Sequence, residues 1–216
     1  MDQIIEFGIF IVVFLYSVIL HEIAHGWVAN YYGDDTARIS GRLSLNPLVH
    51  IDPFGSILMP ALLYFSTGFA FGYAKPVPVN PVRLRGGAAS YRMVALAGIV
   101  TNLVLAAMAG LVLKIATQQF GLPFNNLGVV FFQTAFLLNI VLGVFNAIPL
   151  PGFDGFNFLT SFGGVGSFVS RTPLGNPYFM ARYGMFVSLM LLLLFWRPIQ
   201  QLIYFFLNIF LRIFGL

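Results

Sequence analysis

His21, Glu22 and His25 stand in the stretch LHEIAHGWVAN, residues 20 to 30, at the end of an apolar run that carries no other charged group after Glu6. At 3.6 residues per turn the two histidines lie one turn apart on one helix face, so both imidazoles can reach one ion with Glu22 beside it. Imidazole suits zinc, which in catalytic sites takes three protein ligands and keeps a position for water. Glu22 is then placed to take a proton from that water and hand it to a leaving amine, the HExxH arrangement of zinc hydrolases. Two histidines near a helix end could instead be snorkelling to an interface. The acid between them argues for function, because an ionisable group inside a bilayer costs about 2.5–3.5 kcal/mol on insertion scales.

Two histidines need a third ligand. The stretch NAIPLPGFDG, residues 146 to 155, ends another apolar run. Pro149 and Pro151 cannot continue an ordinary helix, and the backbone groups they free must be satisfied by protein or by cavity water. Asp154 sits in that irregular segment, with Gly155 expected to permit the turn that aims its carboxylate inward. Alone, Asp154 reads as well as a solvated turn residue or helix cap as it does as a ligand. Together with the histidines it completes a set of two neutral imidazoles and one carboxylate, which leaves a zinc ion one formal positive charge with which to polarise a carbonyl.

The elements that must hold these groups belong in a membrane. Of 216 residues, 59% are hydrophobic and only 8% charged, a balance with which a soluble domain could not cover its own surface. Phe7 to Leu20, Val94 to Leu113 and Leu127 to Leu150 are uncharged runs that approach the roughly 20 residues needed to cross a hydrocarbon core. The expected fold is an all-α polytopic membrane protein, one integral membrane domain over residues 1–216, with the zinc site between transmembrane helices. The net charge of +4 comes from eleven basic residues scattered among loops. That is the pattern of a multi-pass membrane protein and not of a nucleic-acid binder. With no cysteine there is neither a disulfide framework nor a thiolate site. The acidic residues Asp2 and Glu6 before the first run, with no small-residue cleavage pattern after it, argue against a cleaved signal peptide.

The two motifs resemble those of the site-2 protease family of intramembrane zinc metalloproteases, in its compact bacterial form. His21, Glu22 and His25 match the first signature, and Asn146, Pro149, Pro151, Asp154 and Gly155 match the second, NxxPxPxxDG, in full. SLNPLVHIDPFGS from Ser44 and GYAKPVPVNP from Gly72 extend the likeness, while AGIVTNL from Ala97 lacks the proline that relatives commonly carry after Ala-Gly. The resemblance implies one zinc ion per chain bound by His21, His25 and Asp154, with Glu22 as the acid/base. It also implies that Asn146 supports the substrate backbone or oxyanion, and that the substrate is a membrane protein cleaved in or near a transmembrane segment.

A shared ion constrains topology. The helix carrying His21 and the helix leading into Asp154 must run parallel, which requires an odd number of crossings between them, yet two apolar segments intervene. Residues 54–71, interrupted by Pro60 and Gly68, are therefore expected to form a re-entrant or short β-like element. Under this topology Arg38, Arg42, Lys75, Arg83, Arg85, Arg92, Arg171 and Arg182 fall on the motif side, against Lys114 on the other. The active site then faces the cytoplasm and the N-terminus lies outside the cell (inner) membrane.

Other residues read as structural. His50 has apolar neighbours and a complete ligand set elsewhere, and Asn102, polar at membrane depth, is expected to face protein or cavity. Ala106 and Gly110 give a spacing for close helix packing. GGVGSF from Gly163 reads as a mobile cytoplasmic loop. Arg197 and Pro198 mark either a turn between two short helices at the external interface or a kink in one helix. The extended stretch Val77 to Val79 could hold an unwound substrate by strand addition. A metal transporter using the same His/Asp site is the competing function, disfavoured because transport gains little from a non-ligating acid at Glu22. An inactive adaptor is the third reading, disfavoured because every catalytic position is filled.

Overall fold

A computed structural model of the chain describes residues 3–52, 58 and 75–216. The expected re-entrant element at 54–71 lies outside the described residues. Every regular element among them is helical: α1 (Gln3–Tyr31), α2 (Thr36–Ile39), α3 (Ala88–Lys114), α4 (Leu127–Ala147), α5 (Asp154–Thr160), α6 (Gly163–Ser170), α7 (Pro177–Leu194) and α8 (Trp196–Phe214). Single 3₁₀ turns at Pro47–Val49, Pro81–Arg83 and Pro173–Gly175 and a π turn at Ile115–Gln119 complete the set.

Local chemistry sets the boundaries. Asn126 accepts hydrogen bonds from the Gly128 and Val129 amides and so starts α4, and Asn176 does the same for α7 through Tyr178 and Phe179. Gly33 lies just past α1 at φ 99°, a left-handed geometry that suits glycine. Pro149 stops α4 because it lacks the amide that would continue the ladder.

Among the described residues three helices are long and apolar enough to cross a membrane: α1, α3 extended to Gln119, and α4. Their outward faces carry Phe10, Ile11, Phe14, Val100, Val104, Met108 and Val141 in the open. An aqueous protein would hide such a surface, and a bilayer solvates it. The inward faces are small or polar. α3 is the middle helix and packs on both α1 and α4. Ala106 and Ala109 are buried there, and a Cβ added at Gly110 would come within 2.8 Å of Phe214 and 2.9 Å of Phe136. Small residues thus let the backbone of α3 approach two aromatic rings, as the Ala106–Gly110 spacing predicts.

The direction of each helix follows from its contacts. Along α1, Ser17 meets Asn139 of α4, and His21 and His25 meet Asp154 just beyond the end of α4. The two helices therefore run parallel. Against α3 the order reverses, with His21 on Asn102 and His25 on Val94.

Two expectations for the C-terminal third are corrected. Gly163–Ser170 is helical and not a mobile loop; Gly166 lies so close to the carbonyl of Thr160 that a Cβ would overlap it, so the glycine serves packing. The helix break falls at Phe195, where α7 and α8 meet at 75°. This junction does not sit at the far interface. Leu192 and Ile199 pack on Ile148 and Leu150, beside the motif, and α8 runs back along α4 until Gly215 accepts a hydrogen bond from Gln118. Arg197 thus joins the basic residues of the motif side. Pro198 falls in the first turn of α8, where its missing amide breaks no helical bond.

Candidate metal centre

α1 delivers His21 and His25 to the interior, and the broken segment after α4 delivers Asp154. Asp154 opens the short helix α5, with Phe153 extended before it and Gly152 at φ 89° making the turn. Gly155 was expected to provide that turn. It is instead helical, and its lack of a side chain matters for contact: a Cβ there would collide with the carbonyls of Ala147 and Ile148. The tight return of α5 onto the end of α4 depends on that clearance.

The three groups converge on one point. His21 Nε2 lies 3.1 Å from Asp154 Oδ2, His25 Nε2 3.2 Å from the same oxygen, and the two Nε2 atoms 3.1 Å from each other. Their side chains are only 8, 12 and 13% exposed, so the triangle lies largely inside the protein.

The proton positions make this triangle informative. His21 Nδ1 faces Asn102 Oδ1 at 2.5 Å and His25 Nδ1 faces the Val94 carbonyl at 2.7 Å. Both partners are acceptors, so each neutral ring carries its proton on Nδ1 and turns the Nε2 lone pair inward. Asp154 Oδ2 is itself buried with no hydrogen-bond donor. Three lone pairs therefore point at one another across about 3 Å, an arrangement that a cation between them resolves. Ligands 2.0–2.1 Å from a tetrahedral zinc are separated by about 3.3 Å, close to the observed edges. Among the described residues this is the one His/Asp/Glu group able to hold a metal ion.

Room for that ion comes from Gly98 on α3. A Cβ built there would stand 2.5 Å from the Nε2 atoms of both histidines. Glycine is required here by close approach and not by backbone conformation.

Glu22, beside His21 on α1, meets the segment that follows residue 74. Its Oε2 accepts the Val77 amide at 2.7 Å. That segment is extended, as its prolines predict, and it is pinned on both sides of Val77. The Lys75 amide bonds the His50 carbonyl at 2.9 Å, the Lys75 carbonyl accepts from Arg42 Nη2 at 2.5 Å, and the Asn80 amide bonds Asp34 Oδ2 at 2.6 Å. Gly26, next to His25, lets Val77 pack against α1: a Cβ there would lie 2.9 Å from Val77 Cγ1.

Asn146 is half-buried on the last turn of α4, and its amide donates to the Leu142 carbonyl at 3.0 Å and not to any of the three converging groups. His50 is buried and bonds the Ser44 carbonyl through Nε2 at 2.7 Å, apart from the metal site, in the structural role expected for it. Asn102 faces protein, as expected. The Val94 carbonyl, Gly98 and the Val77 amide were not foreseen, nor was Asn139, which donates no bond to a ligand but accepts from Asn102. Sequence carries no signal for a backbone partner, and the need for Gly98 arises only from the opposing helix.

Comparison with known proteins gives related sequences. Over 153 residues the chain is 37% identical to "Putative zinc metalloprotease YwhC" of Bacillus subtilis (strain 168), a match that covers 69% of the chain and 66% of that protein. It is 34% identical over 160 residues to "Putative zinc metalloprotease Rip2" of Mycolicibacterium smegmatis, covering 70% of the chain and 57% of the relative. The protein of the same name from Mycobacterium tuberculosis is 32% identical over 155 residues, covering 69% and 56%. The matched region thus spans 66% of the first relative and little more than half of the other two. No protein-family model and no solved structure matches the chain.

Proposed function

The chain belongs with these relatives to the site-2 protease family of zinc metalloproteases, and we propose that it hydrolyses peptide bonds in or near the transmembrane segments of other membrane proteins. The observation that carries this reading is the convergence of His21, His25 and Asp154, with Glu22 adjacent, between helices of membrane-spanning length. His21, His25 and Asp154 would hold one zinc ion. When bound, the zinc supplies a Lewis acid for the scissile carbonyl and lowers the pKa of the attacking water.

The protein's own groups do the rest. Glu22 accepts a proton from the water as its oxygen bonds to the carbonyl carbon, then delivers that proton to the nitrogen as the C–N bond breaks. Asn146 supports the substrate backbone by turning its amide from Leu142 toward the incoming chain. The unwound substrate lies along the Val77–Val79 stretch by strand addition. What supports this last element is geometry. In an extended chain the N–H and C=O of residues 77 and 79 point to one side, the side of Glu22. Among the described residues, neither the Val77 carbonyl nor the Val79 amide has a backbone partner. The motif side faces the cytoplasm, in keeping with its basic loops. The relatives lend the transport reading no support.

Two measurements on the purified full chain and in cells test the proposal. His21→Ala, His25→Ala and Asp154→Ala should each lose zinc, while Glu22→Gln should keep it. Co-expressed with a panel of single-span membrane proteins, wild type should generate a cleavage product that Glu22→Gln does not. Full zinc occupancy in Asp154→Ala would remove that residue as a ligand, and equal cleavage by Glu22→Gln would remove the acid/base.

A further inference from the structure

His21 and His25 are oriented by different means. His25 leans on a main-chain carbonyl of α3, which cannot change its hydrogen-bonding character. His21 leans on the side chain of Asn102, which can: an amide turned over presents NH₂ where it had presented oxygen. Which way Asn102 faces is decided one helix further away. Asn102 Nδ2 donates to Asn139 Oδ1 at 2.8 Å, and Asn139 Nδ2 donates to the Ala135 carbonyl at 2.8 Å and to Ser17 Oγ at 2.9 Å. A backbone carbonyl accepts and never donates, so the Ala135 bond fixes the Asn139 amide. Asn139 must then show its oxygen to Asn102, and Asn102 its oxygen to His21.

Ser17 lies one turn before His21 on α1, so these bonds close a ring through Ser17, Asn139, Asn102 and His21 across all three spanning helices. Its members are 4, 2, 0 and 7% exposed. Packing alone does not call for two amides there, since leucine of similar size would fill the space without burying polar groups.

We propose that Asn139 is a positioning residue for the metal centre: through Asn102 it holds His21 in the tautomer whose Nε2 lone pair faces the ion. This rests on the reading of His21 as a zinc ligand. Without Asn139 nothing prevents Asn102 from presenting its NH₂ to His21. The ring would then accept at Nδ1 and aim an N–H at the position of the metal.

The test is zinc affinity of the full chain in nanodiscs, by competition with a chromophoric chelator, alongside the melting temperature of the chelator-stripped protein. Partners one shell behind a ligand are typically worth 10- to 100-fold in affinity, so Asn139→Leu and Asn102→Leu should each weaken zinc binding about 10-fold or more. Because Asn139 acts through Asn102, the double variant should bind no worse than Asn102→Leu alone. Asn139→Asp, as a neutral acid, offers an oxygen to Asn102 and a proton to Ala135, and should recover most of the affinity. Multiplying effects in the double variant, or undiminished affinity in Asn139→Leu, would overturn the inference. Asn139→Ser, too short to reach Asn102, takes the place of Asn139→Leu if the latter does not fold. A wild type that takes up no zinc would overturn both this inference and the ligand assignment. Normal zinc binding by both wild type and Asn139→Leu would overturn the inference alone.

Discussion

Arg85 donates its backbone amide to the carbonyl of Tyr32 at 2.7 Å. The end of α1 and the approach to α3 are thereby held at one end of the bundle, and the Lys75 bond to His50 places the two flanks of residues 53–74 side by side. Arg38 and Arg85 consequently lie at the same end of the bundle.

That relationship gives an orientation test. The native chain has no cysteine, so single cysteines report without background. At Gln118, exposed at the opposite end, a cysteine should react with a membrane-impermeant thiol reagent added outside intact cells. At Arg38 or Arg85 it should stay protected until the membrane is opened. Labelling at Arg85 with Arg38 protected would contradict the shared end, and protection at Gln118 with labelling at both arginines would invert the proposed orientation.

Gly98→Ala should empty the metal site while sparing the fold. The added methyl would stand 2.5 Å from both Nε2 atoms, so the histidines must swing away or α3 must withdraw from α1. Zinc affinity should fall at least about 10-fold, as when a ligand's support is disturbed. The melting temperature of the stripped protein should change little, because alanine is a better helix former than glycine. Undiminished zinc binding would show that the site has slack the geometry denies.

Asp34 should make the region around the site sensitive to acid. Burial alone would raise its pKa, but the Thr36 hydroxyl, the Asn80 and Thr36 amides and the Arg83 charge outweigh burial and hold the carboxyl below its ordinary value. A group whose folded pKa is depressed contributes stability above its unfolded value, and loses that contribution as pH falls through the folded one. With an unfolded pKa of about 3.9, the loss begins as pH drops toward 4 and continues below it. Melting temperature should fall in that window. In Asp34→Asn the fall should be smaller, with a cost at neutral pH of about 1–3 kcal/mol from the weakened bonds. A variant that tracks wild type through this pH range would exclude Asp34 as the source.

Much of the centre was legible because motif spacing maps onto geometry that helices fix. A spacing of four puts the two histidines on one face, and two prolines near an acid announce a broken segment. What escaped depends on a second element. Gly98 reads as one more small residue until α1 is laid against it. Asn139 could have been found: the argument that flagged Asn102, polarity inside an apolar run, applies to it equally. Gly152 makes the turn expected of Gly155, because sequence does not separate a glycine needed for φ from one needed for clearance. Arg197–Pro198 suggested a break, but proline is as much at home in the first turn of a helix as between two helices.

The bond from Val77 to Glu22 has a particular relation to heredity. Pro76 and Pro78 have no amide hydrogen, so Val77 holds the one donor in three consecutive residues, and that donor belongs to the main chain. Any amino acid except proline at position 77 could make the same bond. Selection for this contact would leave no mark on the identity of residue 77 and would act on the two neighbours that exclude competing donors. A comparison of homologues that scored residues one at a time would credit the prolines and overlook the group that grips the acid.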